Sequence, residues 1–213
     1  MQADNLRVPA LIITILAWVV IVGSLISAVG QSVWLISYTQ LADSPVMLMV
    51  AGAGSLVSNL AFWPSAILVL VWIHMAHANL HKAGLTGLTY SPAWATFSFL
   101  VPIVNLFVPF KAMRELANRS AGEPEELADA DVDEVFSWWG CWIGAWVFGL
   151  FLIYNALIEL VPGIWVTTPF WATQLLGILN LVLFAGSGFF LIKVVKLITG
   201  HQKEGANLVS AFE

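Results

Sequence analysis

Apolar stretches long enough to cross a membrane recur four times along the 213-residue chain, and its polar residues collect between them. A spanning α-helix needs about 20 consecutive, mostly apolar residues. We therefore predict a spanning helix in each of four ranges, namely 8–29, 57–80, 135–160 and 170–198.

The first two apolar windows each leave one question open. Ala28-Val29-Gly30 resembles a cleavage site, but the apolar run before it is longer than the about 7 to 15 residues of a secretion signal. Residues 45–56 contain Gly52 and Gly54, which weaken helical propensity. This stretch either prolongs the second helix or forms a separate turn at the membrane interface.

A fifth apolar segment, residues 91–120, is interrupted by prolines. Proline removes a backbone donor and clashes with the preceding turn of a helix. We predict a short helix from Pro92 to about Leu100, a reversal over residues 101–105, and a second helix that begins near Pro109 and ends near Ser120. The alternative is a kinked fifth span.

The positive charges favour the reversal. Lysine and arginine near the ends of spans favour the cytoplasmic side. The chain has eight lysine and arginine residues, and none of them lies in residues 30–45 or 161–169. If residues 91–110 crossed the membrane, six of the eight would lie outside. If the segment returns to the side where it began, all eight and both termini are cytoplasmic.

The sequence therefore predicts an all-α polytopic membrane protein. It has four transmembrane helices plus a proline-broken re-entrant helical hairpin at about residues 91–120, with five spans as the alternative. We treat residues 1–213 as a single membrane domain with an acidic cytoplasmic linker at 121–134. Phe110, Met113 and Ala117 are expected to face the bilayer or the bundle, whereas a second set reaches water and lipid phosphates: Lys111, Arg114 and Glu115.

Composition agrees with this class, since 60% of the residues are hydrophobic and 10% are charged. The net charge of −5 comes mainly from the linker, so we expect no nucleic-acid partner. The linker contains Asp129, Asp131 and Asp133, but it lacks the glycine and the final glutamate of a calcium-binding EF-hand. The single cysteine, Cys141, excludes an intrachain disulfide.

The hairpin region carries a recurrent pattern of residues. It includes Trp72, Asn79-Leu80, Ser91-Pro92, Trp94-Ala95, Pro102, Asn105-Leu106, Pro109-Phe110 and Ala112-Met113-Arg114-Glu115. In this pattern the chain resembles a bacterial membrane family catalogued as domain of unknown function 4328. The resemblance implies a binding or structural motif at Ser91, Pro92, Trp94, Pro102, Asn105, Pro109, Arg114 and Glu115, and a location in the bacterial inner membrane. The chain departs from the family pattern at Ala93 and Ala117, where glycine and tryptophan are expected.

Three histidines form a candidate metal site. His74, His77 and His81 are spaced at i, i+3 and i+7, so they share one face of a helix. Neutral imidazole is a common metal ligand. The alternative is that they are ordinary residues at the end of a span, where they meet lipid headgroups.

Two further groups lie in the third span. Asn155 and Glu159 are one turn apart near its outer end, where an ionisable group suggests ion or proton handling; the alternative is that Glu159 lies at the water boundary. Gly140 and Gly144 have the small-residue spacing that lets helices approach closely. Beside them runs a tryptophan ladder that either packs or flanks a planar ligand: Trp138, Trp142 and Trp146.

Three functions compete on this basis. The first is a non-catalytic integral membrane module that packs with a partner membrane complex or lipid, with no cofactor and no enzymatic activity. The second is a small channel or transporter subunit with a site at the broken helix near Asn105, since broken helices at membrane depth also form substrate sites. The third is a histidine-ligated metal or haem membrane protein. Expected partners are the lipid bilayer and either other membrane subunits or a second copy of the chain.

Overall fold

The computed structural model describes residues 3–36, 45–161 and 168–211, and every regular element in these ranges is helical. The longer helices are α1 (Arg7–Ile36), α2 (Pro45–Lys82), α3 (Pro92–Phe97), α4 (Val108–Ser120), α5 (Asp133–Ile158) and α6 (Phe170–Ala211). Short 3-10 helices form at Ala3–Leu6, Ser98–Leu100, Val104–Leu106 and Glu125–Leu127.

Four of these helices, α1, α2, α5 and α6, are long and apolar enough to cross a membrane. The chain is therefore an all-α, multi-pass membrane protein, as the hydrophobic pattern predicts. Helices suit such segments because lipid offers no partners for backbone N–H and C=O groups. Residues 37–44, which connect α1 to α2, and residues 162–167, in the connection from α5 to α6, are not among the described residues.

The stretch 45–56 belongs to α2, which answers the question that its glycines left open. The helix continues through Gly52 and Gly54, and also through Pro64. The predicted window 135–160 extends slightly too far, because α5 ends at Ile158.

The segment 91–120 folds as two short helices joined by a turn. Helix α3 has six residues and α4 has 13, so even α4 reaches only about 20 Å, less than the about 30 Å of a bilayer's hydrocarbon core. Neither helix is a fifth span by itself. The two helices contact each other, so the chain reverses between them. We call the segment from Ser91 to Ser120 the hairpin.

The described residues cluster into two compact units, and the division falls within the four long helices. Unit 1 is drawn from Met1–Ala17, Phe62–Trp139 and Phe190–Glu213, and unit 2 from Trp18–Ala61 and Gly140–Phe189. The whole hairpin lies in unit 1. The core of unit 1 includes several large side chains that are almost completely buried: Leu6, Ile13, Trp72, Ile73, Leu80, Met113, Leu116 and Ile198.

Unit 2 joins α1 to α2 through small residues. A Cβ atom on Gly23 would lie 2.7 Å from the carbonyl oxygen of Gly54, so the two backbones are too close for any side chain there. Beside this contact, the hydroxyl groups of Ser24 and Ser58 lie 2.9 Å apart. Small and hydroxyl-bearing residues allow such close packing between helices in membranes.

We predict that Gly54→Ala destabilises the protein by about 1–3 kcal/mol, because the added methyl group overpacks the contact. Its Cβ would lie 2.8 Å from the carbonyl oxygen of Gly23. Gly52→Ala is the matched control, since no atom lies within 4 Å of a Cβ there and alanine favours helix. Thermal unfolding in a mild detergent measures both variants. Equal shifts in the two melting temperatures would contradict the close packing.

Candidate functional site

Helix α4 is the centre of the hairpin region, and it is buried on most sides. Its buried residues are Pro109, Ala112, Met113, Glu115, Leu116, Ala117 and Asn118. Lys111 is exposed, as predicted, but the prediction that Glu115 reaches water is wrong, because only 1% of this residue is exposed. The reason is that a neighbouring loop supplies hydrogen-bond donors to its carboxylate.

The buried carboxylate of Glu115 holds the loop that leads into α3. One oxygen accepts a hydrogen bond from the backbone N–H of Thr89 at 2.7 Å, and the other accepts from that of Tyr90 at 3.1 Å. Hydrogen bonds to an ionised group are the stronger kind. This carboxylate therefore joins α4 to the residues just before the hairpin begins.

Two more polar residues of α4 hold the surrounding loops. The side-chain amide of Asn118 donates to the carbonyl oxygens of Ala128 at 3.0 Å and Ala130 at 2.9 Å, both in the acidic linker. The guanidinium of Arg119 donates to the carbonyl oxygen of Thr86 at 2.9 Å. Both loops that flank the hairpin are thus attached to the same helix.

Arg114 binds the linker instead of reaching free solvent. Its guanidinium lies 2.8 Å from a carboxylate oxygen of Asp131 and 3.8 Å from one of Asp129, and it also stacks over the ring of Phe110 at 4.8 Å. The two aspartate side chains are well exposed, and exposed ion pairs contribute at most about 1 kcal/mol. These bonds orient the linker more than they stabilise it.

Tyr90 lies where the loop before α3 meets this cluster. Burial raises the pKa of its phenol, the carboxylates of Asp129 and Glu115 raise it further, and Arg114 lowers it. The phenol therefore stays neutral over a wider pH range than usual. The carbonyl oxygen of Tyr90 lies 3.1 Å from Nε2 of His81.

A buried network of side-chain amides links four segments of unit 1 that are far apart in the sequence. Asn5 and Asn79 exchange hydrogen bonds of 3.2 and 3.1 Å, and Asn79 donates to the side-chain carbonyl of Gln202 at 3.1 Å. Gln202 in turn donates to the carbonyl oxygen of Ala76 at 3.1 Å and to the hydroxyl of Ser120 at 3.0 Å. The 3-10 helix that precedes α1, the end of α2, the end of α4 and the last part of α6 therefore meet here.

The prolines and the capping serine shape the hairpin itself. Ser91 accepts a hydrogen bond from the backbone N–H of Trp94 at 3.2 Å, and Pro92 is the first residue of α3. Serine and proline favour these two positions at a helix start. Pro109 lies in the first turn of α4, as predicted.

The turn of the hairpin, residues 98–107 between α3 and α4, has an unusual backbone. Ile103 has a φ of 67° and a ψ of −51°, and the carbonyl oxygen of Pro102 accepts from the N–H of Val104 at 2.8 Å. This is a γ-turn with positive φ, a rare and strained form, and a β-branched residue rarely adopts it. The side-chain oxygen of Asn105 is buried here, and no residue in 3–36, 45–161 or 168–211 forms a hydrogen bond with it.

The three histidines have different surroundings. His74 and His81 are exposed, whereas His77 is completely buried, and neither of its ring nitrogens has a hydrogen-bond partner among the residues that the structure describes. Within the described part of the chain, no group of three or more His, Cys, Asp or Glu side chains could hold a metal ion. The shared helical face therefore does not become a three-histidine site, because only His77 points into the core.

The two residues of the candidate ion site, Asn155 and Glu159, have different surroundings. Asn155 is buried, donates to the carbonyl oxygen of Phe151 at 2.9 Å and accepts from the hydroxyl of Thr168 at 2.8 Å. Glu159 lies just beyond α5 and is exposed. The two side chains thus make different contacts, although the backbone N–H of Glu159 binds the carbonyl oxygen of Asn155.

Only one of the two predicted packing glycines contacts another helix. A Cβ atom on Gly144 would lie 3.1 Å from Leu183 of α6, whereas Gly140 is exposed and has open space around it. Two contacts that we did not predict continue this packing, between Gly186 and Cys141 and between Gly149 and Asn180.

The tryptophan ladder packs edge to face. The rings of Trp142 and Trp146 lie 5.7 Å apart at 74°, and Trp142 meets Phe184 at 6.1 Å and 80°. Trp138 instead packs against Trp139 at 5.3 Å and 60°. These rings do not form the parallel walls that a planar ligand would need.

Asn118, Arg119 and Gln202 form many of these hydrogen bonds, and they were not predicted from the sequence as functional residues. The position of Asn118 and Gln202 among apolar residues indicates that they are buried. Asn118 follows Leu116 and Ala117, and Gln202 lies four residues after Ile198 on the same helical face. A polar residue on a buried face needs a partner, so such positions predict buried hydrogen bonds.

The chain is similar to a known protein family. The family model described as "Domain of unknown function (DUF4328)" matches residues 35–200, which includes the whole hairpin and the acidic linker. No curated protein and no solved structure matches the chain.

We predict that Glu115→Gln destabilises the protein by about 2–3 kcal/mol, because the amide replaces one charged acceptor by a donor that faces a backbone N–H. Amide hydrogen exchange should accelerate at Thr89 and Tyr90, and the melting temperature should fall. Glu126→Gln, in the exposed part of the linker, is the control and should change neither. Unchanged exchange at Thr89 and Tyr90 in Glu115→Gln would contradict the anchoring role.

We also predict opposite effects for two buried neighbours on α2. His77→Leu should preserve or raise the melting temperature, because it removes a buried polar ring that no described residue hydrogen-bonds. Asn79→Leu should lower stability by about 1–3 kcal/mol, because it leaves the partner amides of Asn5 and Gln202 unsatisfied. A large loss of stability in His77→Leu, together with metal in the purified protein, would restore the metal hypothesis.

Proposed function

We propose that the chain, which belongs to the family of the domain of unknown function DUF4328, is a non-catalytic membrane module with a re-entrant hairpin. The hairpin enters the bilayer and returns to the side from which it started. The module packs with lipid and with a partner membrane complex, which is either another membrane protein or a second copy of the chain.

The observation that carries this proposal is that both ends of the hairpin are held close to the same part of unit 1. At its start, Thr89 and Tyr90 bind the carboxylate of Glu115. At its end, Ser120 binds Gln202, which also binds Asn79 in the last part of α2. A segment that crossed the membrane would separate its two ends by the bilayer thickness of about 30 Å. The bonds therefore support re-entry.

The surface of the hairpin supports contact with lipid. Several large apolar side chains around the turn are 48–75% exposed: Phe97, Leu100, Ile103, Leu106 and Phe107. A soluble monomer rarely exposes a large contiguous apolar patch. In a multi-pass membrane protein, the acyl chains of the bilayer cover such a patch, so its apolar surface is not exposed to water.

Charge supports the orientation. With four spans and a re-entrant hairpin, all eight lysines and arginines fall on one side. That side is then the cytoplasm, with both termini there, and the membrane is the bacterial inner membrane that the family resemblance implies.

One observation favours the second function, a small channel or transporter subunit. The side-chain oxygen of Asn105 is buried near the hairpin turn and has no donor within the described part of the chain, and broken helices at membrane depth also form substrate sites. A cation or a hydrogen-bond donor would satisfy this oxygen. Ion flux through reconstituted protein that Asn105→Leu abolishes would favour this function over the non-catalytic module.

We predict that residues 83 and 121 lie on the same, cytoplasmic side. Single cysteines at Ala83, Ala121 and Leu160 are introduced in a Cys141→Ser background, and all three positions are exposed. A membrane-impermeant thiol reagent should label position 160 in intact cells, and positions 83 and 121 only after the inner face is opened. If position 121 reacts from outside and position 83 does not, the segment crosses the membrane and the re-entrant proposal fails.

A further inference from the structure

Two contacts fix the hairpin turn beside the beginning of α5. The indole N–H of Trp139 donates to the carbonyl oxygen of Leu106 at 3.3 Å. The ring of Phe99 meets the Trp139 ring edge to face, with centroids 6.3 Å apart. Helix α5 starts at Asp133, so Trp139 lies only about 9 Å along its axis from that end.

The end of α5 also indicates where the membrane surface lies. Asp133 and Glu134, the last two residues of the acidic linker, occupy its first turn, whereas apolar residues dominate from Val135 onward. Acidic side chains at the end of a spanning helix mark the edge of the hydrocarbon region, because burying an ionised side chain in the bilayer is costly. A turn attached to Trp139 is therefore near the surface of the bilayer and not at its midplane.

We propose that the hairpin turn is a shallow wedge that inserts among the acyl chains of one leaflet, close to the headgroups. This inference rests on the proposed function and adds its depth and its ligand, the upper part of the lipid acyl chains. An apolar segment at such a depth takes up area in one leaflet only. The free energy of inserting it therefore depends on how tightly the lipids of that leaflet are packed.

The strained residue at the tip supports this role. Ile103 is 75% exposed and keeps a positive φ that glycine would adopt without strain. Neighbouring Leu100 and Phe107 are 66% and 61% exposed. The turn thus carries a large apolar side chain at the position where folding alone would favour glycine.

The occupant follows from the continuity of this surface with that of a spanning helix. On α5, Phe136 packs against Phe110 of the hairpin and is itself 65% exposed. The exposed apolar surface of the hairpin therefore extends, through Phe110, onto an exposed apolar residue of α5, a helix that is long and apolar enough to cross a membrane. A partner protein at the turn is the alternative outcome of the test.

The test measures the depth of a fluorophore attached to a single cysteine at position 103 in the Cys141→Ser background. The protein is reconstituted in phosphatidylcholine vesicles that contain lipids with a nitroxide quencher either near the headgroup or near the end of the acyl chain. Val147, exposed and near the middle of α5, gives the deep reference, and Ala83 gives the aqueous reference.

We expect the shallow quencher to act more strongly than the deep one at position 103, and the reverse order at position 147. A stronger effect of the deep quencher at position 103 would overturn the shallow placement. Absence of quenching, as at position 83, would overturn lipid contact and indicate water or a protein partner. These outcomes are separate from the sidedness of residues 83 and 121, which tests re-entry itself.

Two substitutions test the strain independently. Ile103→Ala keeps the β-carbon at the positive φ, whereas Ile103→Gly removes it, and both remove the apolar anchor. We expect Ile103→Gly to melt at a higher temperature than Ile103→Ala in detergent, although glycine is the more flexible residue. If Ile103→Ala is the more stable variant, the positive φ at position 103 does not strain a residue that has a β-carbon.

Discussion

Side chains of α4 that bond to the backbone of neighbouring loops hold the middle of this protein together. Between α2 and α5 the chain forms only short helices, so many N–H and C=O groups have no partner within a helix. A buried backbone group without a partner costs about as much as a lost hydrogen bond. Glu115, Asn118 and Arg119 supply partners to the two flanking loops. The position of the hairpin, the path of the acidic linker and the surroundings of Tyr90 all depend on these bonds.

Local features of the sequence predicted the helices well. Length and hydrophobicity identified the four long helices, and Pro92 and Pro109 marked the starts of the two short ones. The prolines are informative because proline acts on the backbone within one turn of a helix. The exposure of single residues was less predictable. Glu115 looked like a water-facing charge, but its surroundings are set by Thr89 and Tyr90, which α4 meets only in the folded chain.

The small residues show the same limit. Gly52 and Gly54 were recognised only as weak helix formers, yet Gly54 is the point where α2 touches the backbone of α1. The partner sequence decides which glycine matters, since Gly23 faces Gly54 and nothing faces Gly52. Likewise Gly144 contacts α6 and Gly140 does not. Spacing within one helix identifies a smooth face, but it does not identify which helix lies against that face.

The amide of Gln202 has a mechanical consequence for α6. This one side chain is bonded to two residues of α2, Ala76 and Asn79, and to Ser120 at the end of α4. A rotation of α6 about its axis by a single residue, about 100°, would withdraw the amide from all three partners at once. Torque applied to the C-terminal part of α6 would therefore be transmitted to the base of the hairpin before the helix could turn freely.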